Sequence, residues 1–85
     1  MDQGLLPIWR INSGDELGAA IRQARRDKGW TQDELAKRSN VGRMTISRLE
    51  RGGDVSAATT ARCVSELGCV LVMVPKAARV TARGV

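Results

Sequence analysis

Arg43, Arg48 and Arg51 lie in the stretch GRMTISRLERG, interleaved with Met44, Thr45 and Ser47. A guanidinium presents its N–H donors in a planar fork. That fork matches phosphate oxygens and, bidentately, the O6 and N7 acceptors of guanine. The hydroxyls of Thr45 and Ser47 suit bases or phosphates alike, and the Met44 thioether suits a thymine methyl. Chemistry of this kind is recognition by contact. It becomes useful only if one element holds these side chains on one face and a second element braces the first.

Both elements are legible. Thr31 can cap a helix and Glu34 can close its capping box, with Trp30 and Leu35 forming a hydrophobic staple across the start. That helix runs to about Ser39, where Ser39-Asn40-Val41-Gly42 reads as a turn. A further helix then spans Arg43 to Arg51 and stops at Gly52-Gly53. Placing Ile46 at the centre of its inward face and stepping about 100° per residue turns Leu49 and Glu50 inward. The same steps turn Met44, Ser47, Arg48 and Arg51 outward. Leu35, Val41, Ile46 and Leu49 can close one apolar cluster, and Ala36 lets the two helices approach. An ordinary solvated helix surface would also carry charge. Three features outweigh that reading: the helix is too short to form for its own stability, the turn projects its N-terminus, and arginines occupy two outward or N-terminal positions. Gln32 stands at the first helical position after its cap, where free backbone N–H groups suit a phosphate. Lys37 and Arg38 read as solvated charges in a supporting role.

The inward Glu50 needs a partner, because an unpaired buried carboxylate costs several kcal/mol. Arg25 is the candidate, at the edge of the apolar face of an earlier helix. The alternative is that Glu50 pairs locally or stays exposed near its helix end. That earlier helix begins at a Ser13/Glu16 capping box, carries Leu17, Ala20, Ile21 and Ala24 at helical spacing, and stops at Gly29. A fourth helix is capped by Ser56, buries Ala57, Thr60, Ala61, Val64 and Leu67, and ends at Gly68.

Composition agrees with recognition of a polyanion. Fourteen Lys and Arg against nine Asp and Glu leave a formal charge of +5, and five bases stand against one acid between Leu35 and Gly52. With two cysteines and no histidine, neither a metal site nor a catalytic nucleophile with its base can be assembled, so we expect no cofactor and no enzyme. Cys63 and Cys69 read as reduced cysteines serving as small hydrophobes. MDQGLLPIWR has neither a basic n-region nor an apolar core, and the longest apolar run, Cys69 to Val74, is too short to span a bilayer. The expectation is a soluble, cytoplasmic, nucleoid-associated protein with no membrane partner.

Cys69 to Val74 is apolar, β-branched and ended by Pro75, so it reads as a strand. A lone strand leaves its N–H and C=O groups unpaired. Its internal candidate is a weak strand at Ile8 to Ile11. The better one is the same strand of a second copy across a twofold axis, with Val70, Leu71, Val72, Met73 and Val74 as the dimer contact. The expected organisation is an N-terminal segment over 1–12, a helical domain over 13–68, a dimerisation strand over 69–75 and a mobile basic tail over 76–85.

The run TQDELAKRSNVGRMTISRLERG resembles the helix-turn-helix of the Cro/repressor, Xre-like family. The resemblance implies a mainly α fold of four to five helices. It implies further that Gln32 contacts phosphate, that Arg43, Met44, Ser47 and Arg48 face bases, and that Arg25 pairs with Glu50. Asn40 replaces the usual turn Gly, and Gly42 replaces the usual capping Ser or Thr, which removes a hydroxyl-to-phosphate contact. With its ending ELGCVLVMVP, the chain is similar in particular to HipB-like antitoxins, whose strand forms an intersubunit sheet. That likeness implies a homodimeric repressor of double-stranded operator DNA that also restrains a HipA-like kinase toxin. The alternative is a stand-alone Xre-family regulator.

Overall fold

The computed structural model describes residues 8–77. Four helices follow one another: α1 (Gly14–Asp27), α2 (Gln32–Ser39), α3 (Arg43–Glu50) and α4 (Ala57–Glu66). Three of them start on a side-chain cap. Ser13 Oγ accepts the Glu16 N–H at 3.2 Å, Thr31 Oγ1 accepts the Glu34 N–H at 3.1 Å, and Ser56 Oγ accepts the Thr59 N–H at 3.1 Å. The Thr31 box is reciprocal, with Glu34 accepting the Thr31 N–H. Glu16 instead reaches one residue further back, to the Asn12 N–H at 2.8 Å. Each cap satisfies donors that the first helical turn leaves free.

The apolar faces close on one cluster of Ile21, Ala24, Leu35, Ala36, Ile46, Leu49, Cys63, Val64 and Leu67. Cys63 is fully buried at its centre, as a small hydrophobe. Trp9, Leu17, Trp30, Val41, Val55 and Cys69 pack around it. α2 packs against both α3 and α4, and α1 against α3.

The α1–α3 contact turns on Gly18. A Cβ there would sit 2.6 Å from the carbonyl oxygens of both Leu49 and Glu50, so only a glycine lets α1 press against the last turn of α3. Gly18→Ala therefore must push the two helices apart. We expect a loss of about 1–3 kcal/mol, the usual cost of overpacking. That should lower the thermal midpoint by about 4–8 °C per kcal/mol in a domain of this size. A melt followed by circular dichroism that left the midpoint unchanged would contradict the contact.

The two expected strands are absent from the described residues. Residues 8–12 are irregular, with Trp9 turned onto the core and the Asn12 N–H taken by Glu16. Cys69 to Val74 forms no ladder, because an all-helical chain offers it no free edge. Its side chains stand in the open, Val70 at 74% and Met73 at 100% exposure. The first seven residues, and the tail beyond residue 77, lie outside the described residues.

Candidate nucleic-acid interface

The turn between α2 and α3 sets where the arginines go. Asn40 adopts φ 56°, ψ 47°, a left-handed conformation that Asn tolerates better than most residues. The Val41 N–H then reaches back to the Ala36 carbonyl at 3.0 Å and the Asn40 N–H to the Lys37 carbonyl at 3.2 Å. This is a Schellman closure with Asn where Gly is usual. Two residues later α3 begins on Gly42, which supplies no side-chain cap.

Angular position within α3 follows the sequence reading. Ile46 and Leu49 are buried, Met44 is 70% exposed, and Arg43, Arg48 and Arg51 are exposed. Thr45 and Ser47 are half-buried along the edges of the same face. Arg48 has an unexpected support. A Cβ at Gly53 would fall 2.7 Å from Arg48 Cγ, so the arginine's aliphatic stem lies across a bare glycine backbone.

The far end of α3 is held from below. Arg25 Nε donates to Glu50 Oε2 at 2.6 Å and Nη2 donates to Oε1 at 3.0 Å, a bidentate pair. Arg25 Nη1 also donates to the Trp30 carbonyl at 2.7 Å. The Glu50 side chain is only 3% exposed, and its hydrogen bond to Arg25 raises the arginine pKa above its ordinary value against the opposing pull of burial. Of the two readings of Glu50, the pairing with Arg25 is the one seen.

Gln32 is half-buried at the start of α2, and its Nε2 donates to Glu50 Oε1 at 3.2 Å. Its amide thus ties α2 to the end of α3, while the first backbone N–H groups of α2 lie beside it. Lys37 bonds Asp33 one turn back at 3.4 Å, both well exposed. Arg38 does more than its sequence suggests: its guanidinium stacks 4.1 Å from the centre of the Trp30 ring. Among the described residues, no group of three or more Cys, Asp or Glu is placed to hold a metal ion. No helix among them is long and apolar enough to cross a membrane.

Gly42 can be improved. Its φ of −77° and ψ of 153° suit any residue, and a Cβ there meets nothing within 4 Å. Gly42→Ser should add the missing cap and remove unfolded-state freedom, a gain of about 0.5–1 kcal/mol. It should also place a hydroxyl where a phosphate would pass. A rise in urea midpoint together with tighter DNA binding in a gel-shift titration is the expected pair of results. A fall in midpoint would show that residue 42 does not cap α3.

A family profile described as helix-turn-helix matches residues 21–69. The chain is 36% identical over 56 residues to Antitoxin HipB of Escherichia coli O6:H1, a match covering 66% of this chain and 60% of that protein. It superposes on a chain of a solved HipA-HipB-O2-O3 complex with a TM-score of 0.74 and 28% identity, over 81% of this chain and 99% of that one. It superposes on the clp gene regulator ClgR of Corynebacterium glutamicum, known as a crystal structure, with a TM-score of 0.62 and 41% identity, over 71% and 79%. A fold of four capped helices, a second helix bracing a basic third, and a profile match over more than half its length lead to one conclusion: the chain belongs to the helix-turn-helix family, Xre-like in type and related to the HipB antitoxins.

Proposed function

We propose that this chain is a sequence-specific DNA-binding repressor that acts as a homodimer and as the antitoxin of a kinase-like toxin. The observation that carries the reading is the outward face of α3. Arg43, Met44, Ser47, Arg48 and Arg51 line one side of a helix whose other side is locked by Ile46, Leu49 and the Arg25–Glu50 pair. Rigid backing of this kind lets short side chains read base edges in a major groove. In this reading Arg43 and Arg48 address guanine, Met44 a thymine methyl, and Thr45, Ser47 and Arg51 bases or backbone. The N-terminus of α2 at Gln32 seats a phosphate.

Dimerisation is assigned to residues 69–75, with residues 13–68 as the DNA-binding unit. Val70, Leu71, Val72, Met73 and Val74 form a run of exposed apolar side chains, more than an isolated small domain carries without a partner. A second copy offers an edge for its backbone and sets two α3 helices against the half-sites of an inverted repeat, about 34 Å apart or a multiple. The likeness to a chain solved in complex with HipA supports a protein partner as well. The 41% identity to ClgR supports the second reading, a regulator with no toxin.

The deciding experiment is co-expression of the tagged chain with the product of its adjacent gene, followed by sizing and a growth assay. A complex holding two copies of this chain, with the neighbour toxic alone and harmless in company, establishes the antitoxin. A chain that purifies alone as a dimer beside a harmless neighbour is a stand-alone repressor. A monomer at micromolar concentration removes the dimer assignment.

A further inference from the structure

Away from α3 the fold carries a second basic surface with a different construction. A groove of about 330 Å³ runs between the end of α2 and the outer side of α4, lined by Arg38, Ser39, Asn40, Arg62, Ser65 and Glu66. Trp30 stands beside it, with Arg38 stacked 4.1 Å from its ring centre and the Lys28 ammonium 5.3 Å from it. Among the described residues the ion pairs are Arg25 with Glu50 and Lys37 with Asp33. Arg38 and Arg62 therefore face the groove with no carboxylate bonded to either, although Glu66 is on the same wall.

Both arginines are prearranged. Stacking on an indole holds the Arg38 guanidinium flat and leaves its N–H edge outward. Arg62 Nη2 donates to Thr59 Oγ1 at 3.4 Å, one turn back on α4. Holding such side chains in place before contact lowers the ordering cost of binding. An aromatic ring flanked by arginine is also the composition of an interface centre. Ser39 Oγ, buried beneath the groove, has no hydrogen-bond partner and is a donor that a slight opening would free.

We propose that this groove docks an acidic segment of a partner protein, whose carboxylates bridge Arg38 and Arg62 while its backbone passes over Trp30. Nucleic acid fits less well. The end of α2 turns its last carbonyls toward this region and Glu66 adds a negative charge, both adverse to a row of phosphates. A carboxylate flanked by neutral residues meets only the two guanidiniums.

The test uses a fluorescein-labelled oligoglutamate peptide and the full chain, read by anisotropy. Trp30 emission is read in parallel in a Trp9→Phe background, which leaves Trp30 as the sole tryptophan. Binding that perturbs Trp30, weakens by about tenfold or more in Arg38→Ala/Arg62→Ala, and persists in Arg43→Ala/Arg48→Ala is the expected result. Arg62→Ala alone, on an exposed side chain that leaves the Trp30 stack untouched, should weaken the peptide and keep DNA binding. No binding, or binding abolished with Arg43 and Arg48 instead, would overturn the proposal. So would a duplex DNA fragment that displaces the peptide and itself perturbs Trp30, since the groove would then be a nucleic-acid site.

Discussion

Arg25→Met should cost the fold about 3–5 kcal/mol, the loss typical of leaving one member of a buried ion pair without the other. The substitution keeps most of the aliphatic stem and removes three hydrogen bonds together, two to Glu50 and one to the Trp30 carbonyl. What remains is a carboxylate whose side chain is 3% exposed, with only the Gln32 amide still donating to it. A chain of 85 residues has a total stability of only about 4–13 kcal/mol, so the variant should be partly unfolded at room temperature. Arg25→Met/Glu50→Met should recover most of the loss, because an apolar pair of similar volume replaces a buried ionic one at little net cost. Urea unfolding of the wild type, both single variants and the double variant gives the coupling energy directly. A single variant costing under about 1 kcal/mol, or a double variant no better than the singles, would show that the pair is not what holds the end of α3.

The second large effect is on DNA. Arg43→Ala and Arg48→Ala should each weaken binding to the preferred site by about 1–3 kcal/mol, and each should relax the base preference at the position it reads. Together they should bring affinity close to that for unrelated sequence. Arg51→Ala should differ in kind: removing a charge that meets only phosphate weakens all sequences alike and reduces the slope of log K against log salt by roughly one. The measurement is a set of anisotropy titrations over preferred and scrambled duplexes at several salt concentrations, after a selection has defined the site. If the double variant kept its preference for that site, the outward face of α3 would not be the reading face.

The helices are readable in the sequence because each announces its own start. Thr31 with Glu34, Ser13 with Glu16 and Ser56 all bond as their spacing predicts, and local bonds need no knowledge of the rest of the chain. The Arg25–Glu50 pair is readable for a related reason. An inward acid on a short helix has few places to find a cation, and the edge of α1 offers one. The features that sequence conceals depend on the way elements meet. Gly18 matters only because α3 ends against it, although a glycine inside an amphipathic helix is a costly choice that hints at close packing. The turn of Gln32 toward Glu50 and the stacking of Arg38 on Trp30 depend on the crossing of helices, which side-chain type does not reveal. The segment from Cys69 to Val74 has strand composition and no strand, since composition states a preference and a ladder needs an edge.

Gly18 beneath Leu49 and Glu50, and the missing cap at Gly42, lie at opposite ends of one short helix. The last turn of α3 is clamped by backbone contact and a buried pair, whereas its first turn, with Arg43 and Met44, has only its own hydrogen bonds. Amide hydrogen exchange should therefore be graded along α3, fast at the start and slow towards Leu49, with opening of the first turn uncoupled from global unfolding. The helix then behaves as a lever with a fixed heel and a pliant toe: its direction is set in advance, and the toe orders only once it has found a sequence worth ordering on.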